Sequence, residues 1–106
     1  MDLRKLTNPK VRGAIEALQV GDKAEWLAFF SANATLTDDG SPRSFTGFSD
    51  EALGHERFTS IDRVENNGLD VYGSFHSDRW GDFKTYFKFH LGSDGKFGRL
   101  DIGQQQ

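Results

Sequence analysis

The chain has 106 residues, a formal net charge of −3, 36% hydrophobic residues and no cysteine. One domain of this length buries roughly two-thirds of its unfolded surface, and the absence of cysteine excludes disulfides and thiolate chemistry. Charges of both signs are scattered, no run approaches the ~20 apolar residues of a membrane span, and Met1-Asp2-Leu3-Arg4-Lys5 leads into no apolar stretch, so neither nucleic acid nor a membrane is expected as partner and a cytoplasmic location is.

In chain order, Asn8-Pro9 reads as an N-cap followed by proline at the first helical position. Val11, Ala14, Ile15 and Leu18 then form one apolar stripe at helical spacing, and Gly21 terminates the helix. Asp22 starts a second helix with Glu25 in the capping-box position. Its residues Trp26, Leu27, Phe29 and Phe30 are apolar nearly all round, which predicts deep burial. Ala34 to Thr37 reads as a short strand, Asp38-Asp39-Gly40-Ser41-Pro42 as a turn, and Arg43 to Thr46 as the returning partner. Ser49 is the expected N-cap of a third helix of about two turns, weakened by Gly54.

From Arg57 to Glu65 the residues Phe58, Ile61 and Val64 are apolar without clean alternation, a pattern that calls for a bulge or strong bend. Asn66-Asn67-Gly68 is hairpin-turn chemistry. Leu69 to His76 and Phe83 to Leu91 alternate strictly, as strands do with one buried face. Ser77–Asp82 and Gly92–Gly95 are turns, so antiparallel hairpins are expected through to Ile102. Helices first and sheet second make an α+β fold, a single domain over residues 1–106. Ten phenylalanines against one methionine put aromatic rings in its core.

The buried odd-numbered set of the central hairpin requires even pairing sums, near 160 if the turn centres on Trp80. Asp70 then faces His90, Tyr72 faces Lys88, Ser74 faces Tyr86 and His76 faces Lys84. On the last hairpin a sum near 187 sets Phe97 beside His90, Arg99 beside Lys88 and Asp101 beside Tyr86. Tyr72, Tyr86, His90 and Phe97 thereby form an aromatic-rich strip on the outer face, expected to be solvated or to join two copies in a homodimer. His76 also faces outward, and no set of three or four ligands for a metal is in view.

Taken together, Val20-Gly21-Asp22 between two helices, Trp26 to Phe30, Ala32 to Asp38, Gly47 at the third helix and the long strands with an Asp94-Gly95 hairpin resemble the nuclear-transport-factor-2-like superfamily. That family includes ketosteroid isomerase, scytalone dehydratase and polyketide-cyclase-like proteins. The resemblance covers roughly residues 8–104 and implies helices packed on a strongly bent antiparallel sheet, a cystatin-like cone with a pocket at one end. It carries fold more than activity, because the family hosts enzymes, carriers and binding modules. By the resemblance, Asp38 stands at the general-base position of ketosteroid isomerase. Ala14 and Phe87 stand where that enzyme has its two oxyanion donors, which disfavours the same isomerisation.

The leading expectation is a domain that binds a small apolar or aromatic molecule at Trp26, Phe30, His55, Trp80 and Phe87, with no cofactor and no metal. One alternative is proton transfer with Asp38 as base; its competing role is that of a turn former hydrogen-bonded to backbone amides. The other is a dimerisation module whose cavity the phenylalanines fill. No nucleophile elbow, dinucleotide fingerprint or phosphate loop is present.

Overall fold

The computed structural model describes residues 2–105. After a short 3-10 turn at Leu3–Lys5, helix α1 spans Pro9–Val20. The Asn8 side chain accepts from the amides of Lys10 and Val11, and Gly21 ends the helix at φ 73°. That left-handed conformation costs glycine nothing. Helix α2, Lys23–Ala28, is capped by Asp22 and is only six residues long. Its expected all-round burial does not hold. Trp26 alone is buried within it, Leu27 is exposed, and Phe30 already belongs to the next strand.

Strand β1 runs Phe30–Asp38, much longer than the four residues expected, and pairs with the short β2, Ser41–Arg43. Helix α3 then covers Phe45–Ala52. Its cap is Ser44, which accepts from the Gly47 amide, and not Ser49. Ser49 lies inside the helix, 1% exposed. Its hydroxyl donates to the Phe45 carbonyl at 2.9 Å and accepts the Trp26 indole N–H at 3.0 Å. The hydroxyl that reads as a cap is the acceptor that lets a tryptophan be buried.

The remaining strands are β3 (Glu56–Phe58), β4 (Arg63–Glu65), β5 (Asp70–Ser77), β6 (Gly81–Leu91) and β7 (Phe97–Gln104). The sheet order is β2-β1-β7-β6-β5-β3, with β4 also on β5. All pairings are antiparallel except β1 with β7, which is parallel, so the sheet is mixed rather than purely antiparallel. The expected break after Phe58 is present. Six steps from Phe58 to Val64 stand against four from Phe75 to Val71. The amides of Thr59 and Ser60 both point at the Ser74 carbonyl, and Ile61 turns into the core. The Ser60 carbonyl occupies the space where a side chain at position 73 would stand, and only glycine leaves it free.

Both hairpin registers differ from expectation by two residues, a shift that preserves the faces. Tyr72 faces Tyr86, Asp70 faces Lys88, Ser74 faces Lys84 and His76 faces Asp82, because the turn is the three residues between Ser77 and Gly81. Gly81 at φ 82° closes it. On the last hairpin His90 faces Arg99 and Lys88 faces Asp101, and an irregularity then pairs Leu91 with Phe97. That irregularity turns Phe97 inward to 1% exposure and leaves Leu91 on the surface. Phe97 therefore does not belong to the outer strip.

Buried side chains of α1, Trp26 and α3 join the inner sheet residues in one core cluster. No helix among the described residues is long and apolar enough to cross a membrane.

Two substitutions probe this packing. Gly73→Ala forces a Cβ into the Ser60 carbonyl and is expected to cost about 3 kcal/mol or more, read from urea unfolding. Ser49→Ala leaves a buried indole N–H without its acceptor and is expected to cost about 1–3 kcal/mol. A loss under half a kcal/mol in either would refute the corresponding contact.

Candidate functional site

The inner rings form a connected series. Trp26 and Phe45 meet Phe30, Phe30 meets Phe97, and the contacts continue through Phe89, Phe87 and Phe75 to Phe83. The rings fill the Trp26 end. At the Phe83 end they stop, and a cleft of about 430 Å³ opens. Phe48, Phe75, Phe83, Phe87 and Ile102 give it apolar walls, with Asp38, Arg43, Glu56 and Trp80 among its polar and rim residues.

Register explains why charged groups reach this end of the inner face. Leu36 is buried and pairs with Arg43, and Asp38, two residues on, pairs with Ile102. Side chains two apart share a face, so Asp38 and Arg43 lie on the core side where the core ends. Glu56 arrives the same way, two residues before the buried Phe58. The Gln19 side-chain amide donates to the Phe58 carbonyl at 2.9 Å and accepts its N–H at 2.8 Å, tying β3 to α1.

Arg43 bridges two carboxylates, Asp38 at 2.7 Å and Glu51 at 2.6 Å, while its guanidinium lies over the Phe48 ring. Asp38 is thus an ion-pair partner, while Asp39, at φ 50° in the turn, accepts the Gln104 amide of β7 at 2.9 Å. Glu56 accepts from the Ser77 hydroxyl at 2.9 Å. Burial pushes the Glu56 carboxyl above its ordinary value; the Ser77 hydrogen bond and Arg43 oppose this, and Glu51 and Asp38 reinforce it. Ser77, itself buried, also accepts the amides of Arg79 and Trp80. One hydroxyl therefore orients both the acid and the turn that carries the rim tryptophan. A half-buried carboxyl with a raised pKa holds its proton more readily than a free one, and its carboxylate form can receive a cation.

Of the residues singled out in the sequence, Asp38, Trp80 and Phe87 line the cleft. Trp80 stands at the rim, 66% exposed, with Arg79 over its ring. Trp26 and Phe30 do not line it: they are buried at the opposite end of the ring series, where packing takes all their surface. His55 is exposed and lies outside the cleft, 3.5 Å from Asp78. Asp78 also bonds His76, whose other nitrogen meets Asp82; the Asp82 and then the Asp78 bond raise the His76 pKa. Among the described residues no cluster of three or more His, Cys, Asp or Glu is arranged to hold a metal ion. Glu56 and Arg43 were missed in the sequence. A signal existed for Glu56, an acid at the inward alternate of Phe58; Arg43 became visible only through its register with Leu36.

The outer face keeps Tyr72, Tyr86 and His90, and each has a partner within the chain. The Arg63 guanidinium lies 3.8 Å from the Tyr72 ring centre, and Tyr86 lies across Gly103, where a Cβ would collide with its phenol oxygen. His90 meets Asp101 at 2.7 Å. Burial works to raise the Asp101 carboxyl, but hydrogen bonds from Thr37, Arg99 and His90 outweigh it and hold the group below its usual range.

No protein-family model and no curated protein sequence matches the chain. Solved structures do. A nuclear-transport-factor-2-like (NTF2-like) protein of unknown function from Cytophaga hutchinsonii superposes with a TM-score of 0.73 at 14% identity, covering 99% of this chain and 91% of that one. A candidate polyketide cyclase from Sinorhizobium meliloti gives 0.72 at 15% identity over 96% and 99%. The Orange Carotenoid Protein of Anabaena (Nostoc) binding canthaxanthin gives 0.69 at 18% identity, over 90% of this chain and 35% of that one. The chain has the nuclear-transport-factor-2-like fold.

The raised Glu56 pKa has a sign for stability. Between the ordinary glutamate value and the higher folded one, the folded state binds more protons than the unfolded, so stability falls as pH rises through that window. Glu56→Gln keeps the shape and removes the desolvated charge. It is expected to raise the melting temperature modestly at pH 7, with the gain disappearing near pH 4, by calorimetry at both values. A lower melting temperature at pH 7 would show that the charged form is stabilising.

Proposed function

We propose that the cleft binds a small, flat, largely apolar molecule that packs on Phe75, Phe83 and Phe87 and presents a polar end to the Asp38, Arg43 and Glu56 side. The observation that carries this reading is the incomplete aromatic filling: the ring series closes the Trp26 end of the core and leaves about 430 Å³ open at the Phe83 end. An apolar concavity with a few convergent polar groups is the usual form of a small-molecule site. The fold is consistent with it, since structures of the same fold include a candidate polyketide cyclase and a carotenoid-binding protein.

A second reading, acid–base catalysis in the same cleft, is favoured by Glu56 rather than by Asp38. Asp38 is committed to Arg43, whereas the Glu56 carboxyl is the one that burial tunes upward. A positioned base of this kind contributes about 10²–10⁴-fold in rate.

The binding reading is tested by titrating the wild-type protein with 1-naphthalenemethanol and following side-chain NMR resonances. Shifts are expected at Phe75, Phe83, Phe87 and Ile102, with Trp26 and Phe30 unmoved. Saturable shifts confined to the outer face, or none at all, would overturn it.

A further inference from the structure

The charge around the cleft is one-sided. Among the described residues Asp38, Asp39, Glu56 and Asp82 line it, against the cation Arg43, with Arg79 over the rim Trp80. Arg43 is spoken for at both ends, by Asp38 and by Glu51, which stands just outside. Asp82 is held by His76 and Asp39 by the Gln104 amide. Glu56 lines the same cleft, its carboxylate bonded to the Ser77 hydroxyl at 2.9 Å, with Arg43 as the cation whose charge reaches it. Aromatic faces of Phe75 and Phe83 complete the wall, while the ring of the rim Trp80 carries the Arg79 guanidinium.

Resting on the reading of the cleft as a binding site, we infer that its ligand is a cation: a protonated amine on an aromatic or alicyclic body, with the ammonium against Glu56 and the body on Phe75 and Phe83. Three physical effects act in the same direction. Carboxylates within low-dielectric walls focus a negative potential into the cavity. The negative faces of aromatic rings attract a cation, and more strongly when it is desolvated. An ammonium–carboxylate hydrogen bond is about twice as strong as a neutral one. A carboxylate ligand meets the opposite of all three, because the guanidinium that would receive it already has two anions. The raised pKa of Glu56 fits: a site that penalises its own negative charge gains when a cation arrives beside it.

The experiment compares three probes of one shape on the full chain at pH 7.5: 1-naphthalenemethylamine, 1-naphthalenemethanol and 1-naphthoate, each by isothermal titration calorimetry. The amine is expected to bind about tenfold more tightly than the alcohol, and the carboxylate more weakly than either. In Glu56→Gln the ratio of amine affinity to alcohol affinity should fall to about twofold or less. That variant keeps the Ser77 acceptor and the side-chain shape, and an unchanged circular-dichroism spectrum certifies its fold. Should it not fold, the same question is answered on wild type by 0.5 M salt, which should weaken the amine and spare the alcohol. Alcohol binding without preference for the amine, or tightest binding of the naphthoate, would overturn the charge inference and leave the binding reading intact. If none of the three binds, the binding reading falls and the inference with it.

Discussion

The structure depends on how a row of phenylalanine rings is buried. Phe58, Phe75, Phe87, Phe89 and Phe97 are each 2% exposed or less and touch one another along the inner face of the sheet. Fully burying one such side chain stabilises by about 1.5–3 kcal/mol, and edge-to-face contacts add to that. No sheet can carry such a face into water. The helices are needed to cover it, and the arrangement of every other part follows from where the cover is complete.

At one end the cover is complete because Trp26 plugs it. A tryptophan with no exposed surface must find an acceptor for its N–H, and Ser49 of α3 supplies one. That buried hydrogen bond, together with the exposed Lys23–Asp50 ion pair at 2.8 Å, joins α2 to α3, two short helices that would not persist alone. At the other end no equivalent plug exists. There the inward positions of β1, β2 and β3 are taken by Asp38, Arg43 and Glu56 instead of hydrophobes. Charged groups cannot close a core without large desolvation cost, so the rings stop and a cleft remains. The fold therefore places the closed core and the open cleft at opposite ends of one aromatic series.

The cleft is held by elements on the sheet margin, and each is tied down by a side chain from elsewhere. Gln19 pairs with the backbone of Phe58 like a neighbouring strand, and Ser77 links Glu56 to the turn carrying Trp80. The break at Ser60 keeps β3 and β4 on the same partner despite two extra residues. Keeping a partly desolvated acid in such a position runs against stability, a cost that binding or catalytic sites commonly carry.

By itself the sequence determined the α+β order, the caps at Asn8 and Asp22, the turn after Gly21 and the inward face of β5 and β6. These are local, since they follow from periodicity and from the φ that glycine or asparagine permits. It also pointed to Asp38 and Trp80 at the open end. Tertiary structure decided what depends on pairing across distance. The parallel β1–β7 contact, the two-residue register shifts and the inward turn of Phe97 come from where the hairpin loops close and where the last strand is irregular, and a period-2 pattern is blind to a shift of two. The assignment of Ser49 to Trp26, the removal of Trp26 and Phe30 from the cleft, and the meeting of Arg43 with both Asp38 and Glu51 were beyond the sequence for the same reason. Each is a contact between elements whose spacing along the chain says nothing of their distance in space.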